Sequence, residues 1–209
     1  MKNSKSLVLC SVIAVLVFAT GASAQNILTN GDFETGDLTG WVVAGGNAST
    51  SVTVPSPDNY AYMENFGEAI GLTMKQTTGV GSAAEGPITY SYDLWLEQAE
   101  IGGVVFVEMF AEQEGVGIIG GSGLIGPLWP WGAWTTFTGS FNAPAGTDFI
   151  TIQFVAATGA NAGSTCVLRV DNVIVESEGA VATDESSWSN VKALYLSLIH
   201  ISEPTRQLT

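Results

Sequence analysis

Hydrophobic and polar positions alternate with a period of two in the longest apolar stretches of the chain, and turn-forming clusters separate those stretches at fairly regular spacing. A period of two sends successive side chains to opposite faces of an extended strand. On this basis residues 50–54, 69–76, 88–96, 103–113, 134–141, 149–156 and 166–175 are predicted strands. The turns fall at 55–59, 79–82, 120–123, 143–146 and 159–163, where glycine, proline, serine and asparagine concentrate. No useful length of 3.6-residue periodicity occurs before the C-terminal tail. The expected fold is therefore one all-β domain, an antiparallel sandwich or barrel.

The pleat also assigns faces. In 88–96, Tyr90, Tyr92, Leu94 and Leu96 share the side expected to be core, while Ser91, Asp93, Trp95 and Glu97 lie on the other. In 103–113, Val105, Val107, Met109 and Ala111 form the core side, opposite Phe106, Glu108, Phe110 and Glu112. In 149–156, Ile150, Ile152 and Phe154 point in, and Thr151 and Gln153 point out. If these strands are neighbours in one sheet, Asp93, Trp95, Glu97, Phe106, Glu108, Phe110, Glu112, Thr151 and Gln153 line a single surface. That surface is either open or packed beneath the glycine-rich loop 115–130, which is long enough to cover it.

Charge narrows the range of partners. Twenty acidic side chains stand against 6 Lys and Arg, a formal net charge of −14. Such a balance repels phosphate backbones and anionic headgroups, which argues against nucleic-acid and membrane-surface roles. Neutral sugars, cations and basic partners are admitted. Cys166, within an apolar stretch, reads as a small buried hydrophobe, the alternative being a reactive or bridging thiol.

The two ends are set apart from the fold. Lys2 and Lys5, an apolar run over 7–18 and then Ala22-Ser23-Ala24 form the pattern of a secretory signal, with the mature chain starting at Gln25. The apolar run is too short to span a bilayer. Residues 196–206 resemble the translation of a transposase adapter used in DNA library preparation; the alternative is a genuine polar tail. Excluding them removes His200, the only histidine. The expected layout is a signal peptide at 1–24, a β-sandwich at 25–177, an acidic linker and short tail at 178–195, and non-native residues at 196–209.

Four motifs in order, Asn26-Ile-Leu-Thr-Asn-Gly-Asp-Phe-Glu-Thr-Gly36 with Gly40-Trp41, Trp134 to Pro144, Phe149-Ile-Thr-Ile-Gln-Phe154 and Val170-Asp171-Asn172-Val173, resemble carbohydrate-binding modules of the cellulose- and xylan-binding type, families 4, 9 and 22. The resemblance covers nearly the whole domain. It implies a jelly-roll sandwich of the galactose-binding-domain-like kind, with first and last strands meeting near a structural Ca²⁺. Glu34 and Asp171 would hold that ion, with Asp32 the further candidate, and six to eight oxygen ligands suit an extracellular site. The alternative is that Asp32 and Asp171 close turns through their side chains. The resemblance also implies that Trp41 and Trp134 are buried and structural.

The expected partner is a polysaccharide or cell-surface glycan outside the cell. Trp95, Glu97, Phe106, Glu108, Phe110 and Gln153 on the strands, with Trp129 and Trp131 in a Pro/Gly-rich loop, are the candidate contacts: rings stack on sugar C–H faces and polar groups bond hydroxyls. Asn59, Tyr60 and Glu64 are weaker candidates. A second expectation uses the same sandwich for adhesion or assembly in a surface or matrix protein. Catalysis is not expected, because no Gly-x-Ser-x-Gly elbow, phosphate loop or His/Cys cluster occurs, and no carboxylate pair is singled out.

Overall fold

The computed structural model describes residues 25–178. The signal segment, the tail after Glu178 and the adapter-like residues with His200 lie outside the described residues. The strands are β1 (Gln25–Asn26), β2 (Val42–Gly45), β3 (Thr50–Thr53), β4 (Ala61–Asn65), β5 (Gly71–Thr77), β6 (Gly86–Glu100), β7 (Val104–Gln113), β8 (Gly117–Gly121), β9 (Ile125–Leu128), β10 (Thr135–Ala143), β11 (Phe149–Ala157) and β12 (Thr165–Ser177). They form two antiparallel sheets, and the described residues contain no helix. Sheet A runs β10-β6-β12-β4-β3, with β1 along β12; sheet B runs β2-β5-β11-β7-β8, with β9 along β7.

The core lies between the sheets and is made by the alternation visible in the sequence. Tyr92, Leu94 and Leu96 from β6 meet Val105, Val107 and Met109 from β7 and Ile150, Ile152 and Phe154 from β11, all buried. Each large apolar side chain removed from water contributes about 1.5–3 kcal/mol. A one-residue slip in any of these strands would turn its whole apolar set outward, so the core also fixes register.

The opening and closing segments lie side by side, as the motif order predicts. Gln25 pairs with Ser177, and the Ile27 amide donates to Val175 O at 2.8 Å. Val173 N–H donates to Gly31 O at 2.9 Å, and a Cβ on Gly31 would stand 2.1 Å from the Val173 carbonyl oxygen, so only glycine permits this approach. Buried Gln76 of β5 accepts from Thr29 N–H at 2.7 Å and donates to Thr29 O at 2.8 Å, imitating a strand pairing. The opening segment is thereby fastened to both sheets.

Five strands, β1, β2, β4, β8 and β9, go beyond the sequence-based set. β4, Ala-Tyr-Met-Glu-Asn, has no β-branched residue, yet it pairs with both β12 and β3 and its burial alternates strictly; packing overrides propensity there. β8 and β9 fall within 115–130. That stretch is not a covering loop: both strands pair with β7 and extend sheet B at its edge.

Candidate functional site

The single surface expected from β6, β7 and β11 does not form. β6 belongs to sheet A, whereas β7 and β11 belong to sheet B. Their outward side chains therefore look in opposite directions, Trp95 and Glu97 on one side and Phe106, Glu108, Phe110 and Gln153 on the other. The cause is the corner Ile101-Gly102-Gly103, where Ile101 (φ 50°) and Gly102 (φ 95°) carry the chain from one sheet to the other instead of closing a hairpin. A Cβ on Gly103 would stand 1.9 Å from Thr165 O, which makes glycine obligatory at this crossing.

On sheet B, register brings Lys75, Gln153 and Glu108 into one line across β5, β11 and β7. The flanking rows are Thr77, Thr151 and Phe110 on one side and Thr73, Val155 and Phe106 on the other. Gln153 Nε2 donates to Glu108 Oε2 at 3.4 Å. Thr151 Oγ1 donates to Glu112, so the Thr77 hydroxyl, 2.8 Å away, donates to Thr151. This chain covers Thr151, which points outward as expected and is nevertheless buried. Phe106 and Phe110 are half-buried, and β9 leans on the first of them: a Cβ on Gly126 would meet Phe106 Cδ1 at 2.8 Å.

On sheet A, Arg169 of β12 stands opposite both Trp95 of β6 and Tyr62 of β4. Its guanidinium lies 4.3 Å from the Trp95 ring centroid, 5.0 Å from Tyr60 and 5.8 Å from Tyr62. Glu97 holds it, accepting Nε at 2.9 Å and Nη2 at 2.8 Å on one oxygen. Trp134 stands edge-on to Trp95 at 5.9 Å and to Tyr60 at 5.7 Å. Trp134 is 39 % exposed and not the buried tryptophan that the resemblance implies, because Phe137 and Phe141 take the positions of β10 packed on the core. Trp41 is buried against Phe33 and Phe154, as expected.

Trp129 and Trp131 are 49 % and 52 % exposed. Their loop is tied to sheet A, with Leu96 N–H donating to Pro130 O at 2.8 Å and Trp131 in bridge register with Leu96. Sequence reasoning missed Tyr62 and Arg169 as site residues. Arg169 carried a usable signal, being a cation in an acidic domain on the outward side of an alternating strand.

The carboxylates assigned to an ion occupy one corner. Asp171 faces Asp93 across the β12–β6 ladder. Burial pushes its carboxyl up to about 6, with repulsion from Asp93, Glu34 and Asp32 adding to the rise against a lowering bond from Asn172 N–H. Glu34 accepts from Asn59 Nδ2 at 3.1 Å, and Asp93 accepts from Asn172 Nδ2 at 2.9 Å and from Thr136. Both turn bonds also form, Asp171 with Asn172 N–H at 2.7 Å and Asp32 with Glu34 N–H at 3.4 Å. A cavity of about 380 Å³ lined by Asn26, Asn30, Asp32 and Asn172 opens here. The donor set is all oxygen and suits a hard cation, although among the described residues no three acidic, His or Cys side chains converge at metal-holding separations. Cys166 is buried, its thiol pushed up to about 12 by burial, and donates to Val104 O at 3.6 Å.

No family model matches the chain, and no curated protein matches it in sequence. Among solved structures, the enzymatically active domain of bacteriophage CBA120 tailspike protein 4 aligns over 72 % of this chain with a TM-score of 0.56 and 13 % identity. The chain spans 21 % of that protein's length, and the likeness is one of fold. A family 11 carbohydrate-binding module from Clostridium thermocellum, in complex with a β-1,3-1,4-mixed-linked tetrasaccharide, aligns over 77 % of this chain and 98 % of the module, at 18 % identity and a TM-score of 0.47. A family 61 module in complex with β-1,4-galactotriose aligns over 72 % of this chain and 97 % of its own, at 15 % identity and a TM-score of 0.48. Carbohydrate-binding modules of families 4, 16 and 22 also align with the chain.

Proposed function

We propose that the domain binds a neutral polysaccharide, without catalysis and outside the cell, on the outer face of sheet B. The observation that carries this reading is the line Lys75, Gln153, Glu108 across three strands, with Phe106 and Phe110 in the flanking rows. An ammonium, an amide and a carboxylate spaced by about 4.8 Å offer donors and acceptors to hydroxyls, and the rings offer apolar wall. The Thr77, Thr151, Glu112 chain holds the adjoining row in place, so little order is lost on binding. The net charge of −14 favours neutral chains over polyanionic ones. Export is supported by the Lys2 to Ala24 pattern.

Affinity electrophoresis in gels carrying β-glucan, xylan, galactan or mannan tests the site. The mature chain is expected to be retarded by at least one of them, and Gln153→Ala or Glu108→Ala to weaken that binding about tenfold with unchanged circular dichroism. Free migration in every gel, or identical retardation of both variants, removes the sheet B site.

Calcium at the carboxylate corner belongs to the same reading. Glu34, Asp171 and Asp32 would supply the carboxylate oxygens, and a divalent ion would neutralise the repulsion on Asp171 and hold the opening segment to β12. The sheet B edges favour a second reading, adhesion or assembly in a surface or matrix protein, since β2 exposes Val42 and Val43 and β8 exposes Ile118. Sedimentation showing a monomer at all accessible concentrations would remove that second reading.

A further inference from the structure

The rings on sheet A take no part in the sheet B face. They lie across the thickness of the sandwich, about 10 Å from sheet to sheet, and look the other way. Trp95, Arg169 and Tyr62 form a row across β6, β12 and β4 at one level, and Trp134, just before β10, extends it edge-on to Trp95, with Tyr60 beside it. At about 4.8 Å per strand it is roughly 14 Å long, room for a few pyranose rings in line. Two levels along the same strands, the outward positions are ordinary: Thr138, Ser91 and Ile174. Large rings gathered at a single level of an outer face are thus not a general feature of this sheet.

Charge selects the occupant. Arg169 is spent on Glu97, which leaves the aromatic row locally neutral. The neighbouring levels are acidic, with Asp93 and Asp171 on one side and Glu64 on the other. Polyanions are repelled there, while sugar hydroxyls find charged acceptors beside ring faces.

We propose that the outer face of sheet A is a second glycan-binding surface, taking a neutral linear polysaccharide laid across the strands, so that one domain holds two chains back to back and cross-links them. The proposal rests on the reading of the domain as a polysaccharide binder but uses none of the sheet B residues. Two sites facing opposite ways allow bridging of separate chains, which a single face does not.

The test uses the mature chain with the polysaccharide that retards it, and an oligosaccharide of five or so units from the same polymer. Calorimetry is expected to give two oligosaccharides per protein, and mixing with the long polymer to give turbidity. Trp134→Ala and, as an independent check on folding, Tyr62→Ser should each lower the stoichiometry to one and abolish turbidity while keeping gel retardation. Gln153→Ala should weaken the sheet B site about tenfold and abolish turbidity, leaving the reduced retardation that the sheet A site gives, and the Trp134→Ala, Gln153→Ala pair should be retarded least of all. One oligosaccharide per wild-type chain, or unchanged stoichiometry and turbidity in both sheet A variants, overturns the second surface and leaves the first standing. Loss of all binding in the sheet A variants alone makes sheet A the single site and overturns cross-linking. No binding of any polymer by the wild type overturns the polysaccharide reading and the second surface with it.

Discussion

The Tyr92 ring is buried among Tyr90, Phe137 and Phe154 at centroid distances of 5.4 to 5.9 Å, and its hydroxyl has no hydrogen-bond partner among the described residues. Burial pushes that phenol well above its ordinary value. An unpaired buried hydroxyl costs its lost hydration, so Tyr92→Phe is expected to keep or raise stability, by up to about 1 kcal/mol in urea unfolding. A loss of that size would mean the hydroxyl has a bonding partner. Asp171 gives a second prediction. Its folded value, about 6, lies above the ordinary 3.8, so the native state holds the extra proton between those values and stability from this group falls as pH rises through them. In chelator, Asp171→Asn should flatten the fall in melting temperature across that window; with calcium, the wild type should gain melting temperature and the variant should not. A wild type indifferent to calcium removes the ion from the corner. At this scale the sequence was most readable where alternation decides, as in Leu94 against Trp95. It misled at Trp134, whose family likeness pointed inward while Phe137 and Phe141 already filled the interior.

Strands whose composition matches a pleated surface were legible, and those positioned by their neighbours were not. β6, β7, β11 and β12 carry β-branched and aromatic residues in period two. β4 carries none of the former, and the fold holds it through Asn65, whose Nδ2 donates to Ile70 O and to Ala156 O, both at 2.9 Å. The second of these crosses from sheet A to β11 of sheet B, and the first ties β4 to the segment entering β5. Asn65→Leu would leave the buried Gly67 N–H without its acceptor and take the Asn65 donor from both carbonyls, Ile70 O keeping its bond from Thr158 N–H, and a loss of about 2–4 kcal/mol with an unchanged urea m-value is expected. A loss below about 1 kcal/mol would show that water or a shifted backbone serves those carbonyls. β8 and β9 were hidden by Gly120, Gly121 and Pro127, which read as loop, although as edge strands they need only the pairing that β7 offers.

The overall architecture was legible because the alternation and the motif order both demand two layers with adjoining ends. The site was legible only in its ingredients. Rings and acids on outward positions could be named, but which strands are neighbours depends on contacts remote in sequence, and the Ile101-Gly102-Gly103 corner divides what looked like one surface into two. The pairing of Gln25 with Ser177 has a mechanical consequence. Because both ends leave the same corner, a pull applied between them loads the β1–β12 bonds one after another, like a zip, instead of all together in shear. Stretched end to end, the domain should surrender β1 at low force, whereas a tug through ligands held on its broad faces would leave that seam unstressed.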